Sequence, residues 1–500
     1  MIRQLFVYID YKVENYTGGD IMESVWSARC KLPKYQALNG DLKTDTVVIG
    51  AGMAGILTAY FLNQQGVSTV VLEANEIASG VTKNTTAKIT AQHNLIYDTL
   101  ITDFGEEQAG QYAQANMQAV RQYQKIIEQR GISCHFEQRP AYVYSLDNAE
   151  RIQKEVDAAN RLGIKAEFTT HTDLPFGVRG AVKFPNQAQF NPLEFLKDIV
   201  GDLTIYEHTM VREVKDNTVI TDNGKILAKN IVVATHYPFI NVPGYYFMRM
   251  HQERSYVIAL ENAPQLDGMY IDADEDGYSF RNYDDLLFLG GAGHRTGKNR
   301  AGGCYEHLQA AAKDFFPQAT IRYQWSAQDC IPLDGVPYIG NYSASTPNLF
   351  VATGFKKWGM TSSMVAATLL ADQIIGKENP NAEVFSPQRF KVNASIGNLM
   401  KDTAQAVSGL SSQLLSVPAA ELEQLEKGHG GIVEYEGEKV GVYKNEQGEV
   451  FVVSTKCTHL GCQLEWNPDE LTWDCPCHGS RFDYKGKLIG NPAMRDLQTE

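Results

Sequence analysis

The sequence predicts an α/β, Rossmann-like domain followed by a small all-β domain, and two patterns predict it. Residues 46–73 run strand, glycine-rich turn, helix and strand, the order of a dinucleotide-binding unit. Residues 431–453 run as short strands of alternating polarity, and the loops that follow hold two Cys-plus-His pairs.

Composition bounds the rest. A chain of 500 residues with 43% hydrophobic and 21% charged residues has room for two or three domains with real cores. A net charge of −14 argues against nucleic acid or an anionic membrane as partner. The apolar run at residues 5–9 is too short for a secretory signal, and no run of about twenty apolar residues follows. The expectation is a soluble, cytoplasmic protein with no transmembrane segment. Cys30, Cys134, Cys304 and Cys330 are scattered and read as packing thiols, while the other four cysteines fall between 457 and 477. That clustering is unlike a secreted disulfide framework.

Taken in order, residues 1–41 show no clear periodicity and read as an N-terminal extension. Thr46–Ile49 then forms a buried strand, and Gly50-Ala51-Gly52-Met53-Ala54-Gly55 the turn into a helix. Gly50 permits the tight turn, Gly52 the approach of a pyrophosphate, and Gly55 the packing of helix on strand. Gly66 closes the helix. Glu73, 23 residues after Gly50 at the end of the second strand, is placed to accept from ribose hydroxyls. This fingerprint alone does not separate FAD from NAD.

Four later segments resemble the FAD-dependent D-amino-acid oxidase-like family. They are the Ser/Thr-rich loop Gly80–Lys88, the strand end Ile231–His236, the stretch Asp334–Gly340, and Ala352–Thr361 with its Gly-Phe-Lys-Lys-Trp-Gly-Met-Thr ending. The resemblance implies an α/β FAD-binding domain at 42–378 with an antiparallel-sheet substrate subdomain, roughly 95–200 and 250–325. It implies FAD held by Gly50, Gly52, Gly55, Glu73, Thr85, Thr86, Gly354, Trp358, Gly359 and Thr361. A strand at 349–353 and a helix from about 360 to 376 would aim the helix's positive end at the flavin C2 oxygen.

Between these pieces, residues 105–130 and 149–162 read as helices, 183–191 as a loop, and 251–260 and 278–290 as strands. Candidate substrate-facing groups are His93, His251, Arg254, Tyr256, Arg281 and His294. Arg254 or Arg281 could clamp a carboxylate bidentately and Tyr256 could orient a substrate. Each of these also has an ordinary reading as a surface or satisfied core residue. Gly290-Gly291-Ala292-Gly293 completes no second fingerprint, which argues against internal NAD(P)H.

Residues 379–417 read as a linker, with weak helical periodicity at 396–416, and a new domain begins near 417–418. Its strands are expected near 431–435, 439–443 and 449–453, with a hairpin turn at Asn445–Gly448.

The cysteines then supply the chemistry. Cys457-x-His459 and Cys475-x-x-His478 are separated by fifteen residues, so each loop brings one thiolate and one imidazole. Cys2His2 is also a structural zinc set. The spacing resembles the Rieske [2Fe–2S] proteins, whose cluster takes two thiolates on one iron and two imidazoles on the other. That resemblance implies a C-terminal all-β Rieske domain at 418–500 with ligands Cys457, His459, Cys475 and His478. It further implies a Cys462–Cys477 disulfide and a hydroxyl from Ser480 to a bridging sulfide. Phe482 stands where high-potential relatives have a Tyr donor, implying a potential below theirs. Asn491-Pro492-Ala493 resembles the closing Pro loop, and the last strand of the base is expected to be short.

Together these imply an FAD-dependent dehydrogenase oxidising a small amine or amino acid, with a Rieske cluster relaying electrons to an unknown soluble acceptor. The alternatives are a protein in which the cluster feeds the flavin, and a non-catalytic redox sensor.

Overall fold

The computed structural model describes residues 22–274, 276–389, 425–435 and 438–499. The stretch expected to be weakly helical at 396–416 and the boundary near 417–418 lie outside the described residues. So does the apolar run at 5–9.

The first sheet grows from the fingerprint strand, Leu42–Ile49, every residue of which from Thr46 onward is buried. Parallel partners flank it: Thr69–Leu72 and then Thr204–Tyr206 on one side, Lys225–Val233 and then Leu349–Thr353 on the other. Tyr338–Asn341 closes one edge antiparallel. Strands buried on both faces read as continuous apolar runs, which is why 46–49 and 349–353 were plain in the sequence. The fingerprint helix Met53–Gln64 and the late helix Gly359–Ile374 pack together over this sheet.

A second sheet of nine strands stands against the first. Its long members are Met250–Glu261, Leu286–Arg295 and Thr320–Pro332, paired antiparallel in that region. It is not wholly antiparallel, because Met269–Asp272 runs parallel to Glu137–Ser145. Helices Glu106–Arg130 and Ala149–Arg161 fall where expected.

One expectation fails here and another is refined, each for a local reason. Residues 183–189 belong to the strand Gly180–Gln189 rather than a loop. Pro185 and Asn186, the latter at φ 57°, suggest a turn, but the strand takes them as an irregularity opposite Arg139 and Ala141 while Val182, Phe184 and Ala188 stay buried. Residues 278–290 are two strands, Ser279–Tyr283 and Leu286–Arg295, joined through Asp284 at φ 50°. Asp and Asn tolerate that left-handed geometry, so the Asp284-Asp285 pair was the missed turn signal.

The helix Val25–Arg29, ahead of the first strand, is part of the body. Trp26 is fully buried, donates from Nε1 to the Thr85 carbonyl at 2.7 Å, and meets Tyr283 and Phe288 edge-on.

The C-terminal domain has a base of His429–Tyr435, Glu438–Lys444 and Val450–Ser454, all antiparallel. Four short strands, Glu465–Asn467, Thr472–Asp474, Arg481–Asp483 and Leu488–Gly490, form a second antiparallel sheet. The chain's end returns to the base, where the Ser454 amide donates to the Gln498 carbonyl at 2.9 Å.

Candidate active site and cluster centre

A cavity of about 1050 Å³ runs from the fingerprint turn across the face of the second sheet. Gly50, Gly52, Glu73, Thr85, Thr86, Trp358 and Gly359 line it, so segments 300 residues apart in sequence meet around one space. Gly55, Gly354 and Thr361 are not among its lining residues. Gly50 adopts φ 104°, and a β-carbon there would sit 2.5 Å from the Ala234 carbonyl oxygen. A β-carbon on Gly55 would lie 1.9 Å from the Gly50 carbonyl oxygen, which fixes the close packing of helix on turn. Glu73 accepts from the Ala51 amide through Oε2 and from the Asn75 amide through Oε1, both at 2.9 Å. Thr361 Oγ1 accepts from the Thr90 amide and donates to the Thr90 carbonyl, tying the late helix to the loop below it.

The candidate substrate groups separate into four places. His93 is buried and satisfied, between Tyr112 Oη at 2.6 Å and the Thr90 carbonyl at 2.8 Å, and burial holds its imidazole down at about 3. Arg281 is also buried, donating to the Thr86 and Ala87 carbonyls between the rings of Trp26 and Phe288. It therefore holds the 85–88 loop. Arg254, Tyr256 and His294 gather around Glu470 of the C-terminal domain: Arg254 Nε donates to Glu470 at 3.0 Å, and Tyr256 Oη lies 3.0 Å from His294 Nε2. His251 lies 3.2 Å from Glu253, which also pairs with Lys357 at 2.9 Å.

Sequence reasoning did not single out three ionisable groups of this wall. Burial, with the nearby charge of Arg281, pulls the Lys88 ammonium down to about 7. Burial pushes the Asp329 carboxyl up to about 6. Burial also works to raise Glu253, but His251 and Lys357 outweigh it and hold the carboxyl at about 2. Lys88 was visible in the quoted loop; nothing in the sequence marks Asp329 or Glu253.

The cluster centre is built from two loops that turn back on themselves. The Gly461 amide donates to the Cys457 carbonyl and the Gly479 amide to the Cys475 carbonyl, each at 2.9 Å. Cys462 and Cys477 are joined as a disulfide, with Cys475 Sγ within 4.8 Å of both sulfurs. Cys457 and Cys475 remain as buried thiols. The rings of His459 and His478 stand perpendicular with centroids 4.9 Å apart. Nδ1 of each ring is buried without a hydrogen-bond partner among the described residues. Buried polar atoms are nearly always satisfied, so two orphaned ring nitrogens beside two thiols fit mixed thiolate and imidazole ligation. Burial keeps both imidazoles neutral, the form that ligates metals, with His459 drawn down to about 4 and His478 to about 3. Ser480 Oγ accepts from the Ala493 amide at 3.0 Å, so its proton is free for a neighbouring sulfur. Phe482 is fully buried behind this centre.

The family model described as FAD dependent oxidoreductase matches residues 45–373, and that described as Rieske [2Fe-2S] domain matches 416–499. The chain belongs to the FAD dependent oxidoreductase family. Its oxidoreductase domain binds FAD and its C-terminal Rieske domain binds a [2Fe–2S] cluster, which sets zinc aside. The Bacillus subtilis (strain 168) protein YhfW, described by name as a Rieske 2Fe-2S iron-sulfur protein, is 38% identical over 95% of this chain and 97% of its own length. Among solved structures, glycine oxidase from Geobacillus kaustophilus superposes with a TM-score of 0.61 at 18% identity, covering 70% of this chain and 99% of that one. L-proline dehydrogenase from P. horikoshii gives 0.60 at 19%, covering 71% and 98%. These two likenesses concern the fold. No helix among the described residues is long and apolar enough to cross a membrane.

The Rieske domain closes part of the cavity of the oxidoreductase domain. Gln252 Nε2 donates to the His478 carbonyl at 2.7 Å, and Gln328 Nε2 to the Gly479 carbonyl at 2.8 Å. Gly479 adopts φ 82°, and a β-carbon there would sit 2.6 Å from Gln252 Cβ, so glycine is what lets the loop seat. Asn491 Nδ2 donates to the Thr235 and Tyr237 carbonyls on either side of His236, which itself lines the cavity. Neither glutamine belongs to a motif, and the sequence carried no signal for them.

Proposed function

We propose that this oxidoreductase acts as a dehydrogenase on the C–N bond of a small amine or amino acid and passes electrons through its Rieske cluster to a soluble acceptor. The observation that carries this reading is the seating of the 475–480 cluster loop on the two strands that wall the cavity, through Gln252 and Gln328. When bound, FAD supplies a two-electron hydride acceptor and the cluster a one-electron relay.

The likeness in fold to glycine oxidase and L-proline dehydrogenase supports an amino acid or amine as substrate class. Cys457 and Cys475 through sulfur, with His459 and His478 through Nδ1, are the ligands proposed for the cluster. The glycines of the 50–55 turn, with Glu73, Thr85, Thr86, Trp358 and Gly359, are proposed to cradle FAD.

Oxidation at an amine carbon needs the nitrogen in its neutral form, so the wall must take a proton near neutral pH. Lys88, at about 7, and Asp329, at about 6, are the wall groups held in that range. Lys88 is proposed for that role or for meeting a substrate carboxylate. Arg254 and Arg281 are proposed instead as positioning residues, because their guanidinium groups are already engaged.

Anaerobic mixing of the holoprotein with a panel of amines and amino acids tests this reading. Bleaching of the flavin by members of the panel is expected, and a complete panel that bleaches nothing would count against it.

A further inference from the structure

We infer that Asn241, a residue of the oxidoreductase domain, sets the potential of the Rieske cluster by holding the outer nitrogen of His459. The two nitrogens of that ring have different fates. Nδ1 is buried without a partner among the described residues, while Nε2 lies 3.0 Å from Asn241 Oδ1. A neutral ring that ligates through Nδ1 carries its hydrogen on Nε2, so Nε2 donates and the amide oxygen accepts.

Asn241 is held in place for this. Its carbonyl accepts from the Tyr245 amide at 2.8 Å, and the Tyr246 hydroxyl donates to the Tyr342 carbonyl at 2.9 Å, pinning the 240–248 loop to the nucleotide-binding domain. Phe247 from the same loop meets the rings of His459 and His478 edge-on, at 6.4 and 5.8 Å. The histidine end of the cluster centre is thus covered by a loop of the other domain.

An acceptor on the outer N–H of a ligating imidazole makes the ring a stronger donor to the metal. A stronger donor favours the oxidised cluster and lowers its potential. The cluster's potential is therefore coupled to the docking of the two domains through a pair of residues 218 apart in sequence. Asn241 is a positioning residue, acting through His459.

The inference rests on the proposed ligand set, and the test separates the two. Full-length holoprotein carrying Asn241→Leu or Asn241→Asp is titrated at one pH, with the cluster followed by EPR. The Leu variant loses the acceptor and its midpoint shifts upward; the Asp variant offers a stronger acceptor and its midpoint shifts downward. Opposite shifts support the inference. Unmoved midpoints, or shifts of the same sign, overturn it while leaving the ligands standing. Absence of a Rieske EPR signal from the unmodified protein overturns the ligand set and this inference together.

Discussion

Arg254 Nε donates to Glu470 Oε2 at 3.0 Å, joining a strand of the oxidoreductase domain to the Rieske domain where their side chains are 4% and 12% exposed. Arg481 reaches the same oxygen at 3.0 Å and Asp474 at 2.9 Å, so two arginines and two carboxylates alternate, with Arg254 reaching in from the oxidoreductase domain. A buried pair adds little over an apolar contact of the same shape, but removing one partner leaves a charge stranded.

Glu470→Gln is accordingly expected to cost about 3–5 kcal/mol, read from denaturant unfolding followed by cluster absorbance. A change below about 1 kcal/mol would contradict the buried role. Burial pushes the Glu470 carboxyl up, but Arg254 and Arg481 outweigh it and hold it at about 2. Because the folded value lies below the ordinary one of about 4.3, this contribution is complete above that pH and is lost as pH falls from there towards 2. Docking should be unaffected by this group between pH 7 and 5.

Gly55→Val is expected to abolish flavin retention. Its β-carbon would press on the Gly50 carbonyl, so helix and turn must separate. The purified variant should lack flavin absorbance while the Rieske EPR signal persists. Flavin at full occupancy would mean that the turn is not the cofactor's cradle.

How much of this was readable beforehand follows from distance along the chain. The fingerprint was plain because strand, turn and helix are contiguous, and the cluster loops because all four proposed ligands lie within 22 residues. The Arg254–Glu470 pair spans 216 residues, and no periodicity or spacing rule connects such positions. Arg254 looked like a substrate clamp because sequence shows a cation without showing its partner. The strand through Pro185 and Asn186 was missed for the opposite reason: local turn signals were present, and pairing on both sides overrode them.

Cys462→Ser tests the disulfide beside the cluster. It closes a segment with sequence separation 15, for which chain entropy alone gives about 3 kcal/mol. The variant is expected to lose its cluster faster under chelator, followed by visible absorbance. Loss at the unmodified rate would show the link to be dispensable.

Phe482→Tyr should raise the cluster's potential, since the ring is fully buried behind the centre and a hydroxyl there would give hydrogen-bonding character to a sulfur's surroundings. An EPR-monitored redox titration showing an unchanged or lower midpoint would contradict this.

Electrons are proposed to enter at the flavin and leave through the cluster. Anaerobic stopped-flow with a substrate from the amine and amino-acid panel, paired with freeze-quench EPR, tests it most directly. Flavin bleaching is expected first, with the reduced-cluster signal growing afterwards, in the absence of any other acceptor. A cluster reduced before the flavin, or a bleached flavin beside a cluster that stays oxidised, would contradict it.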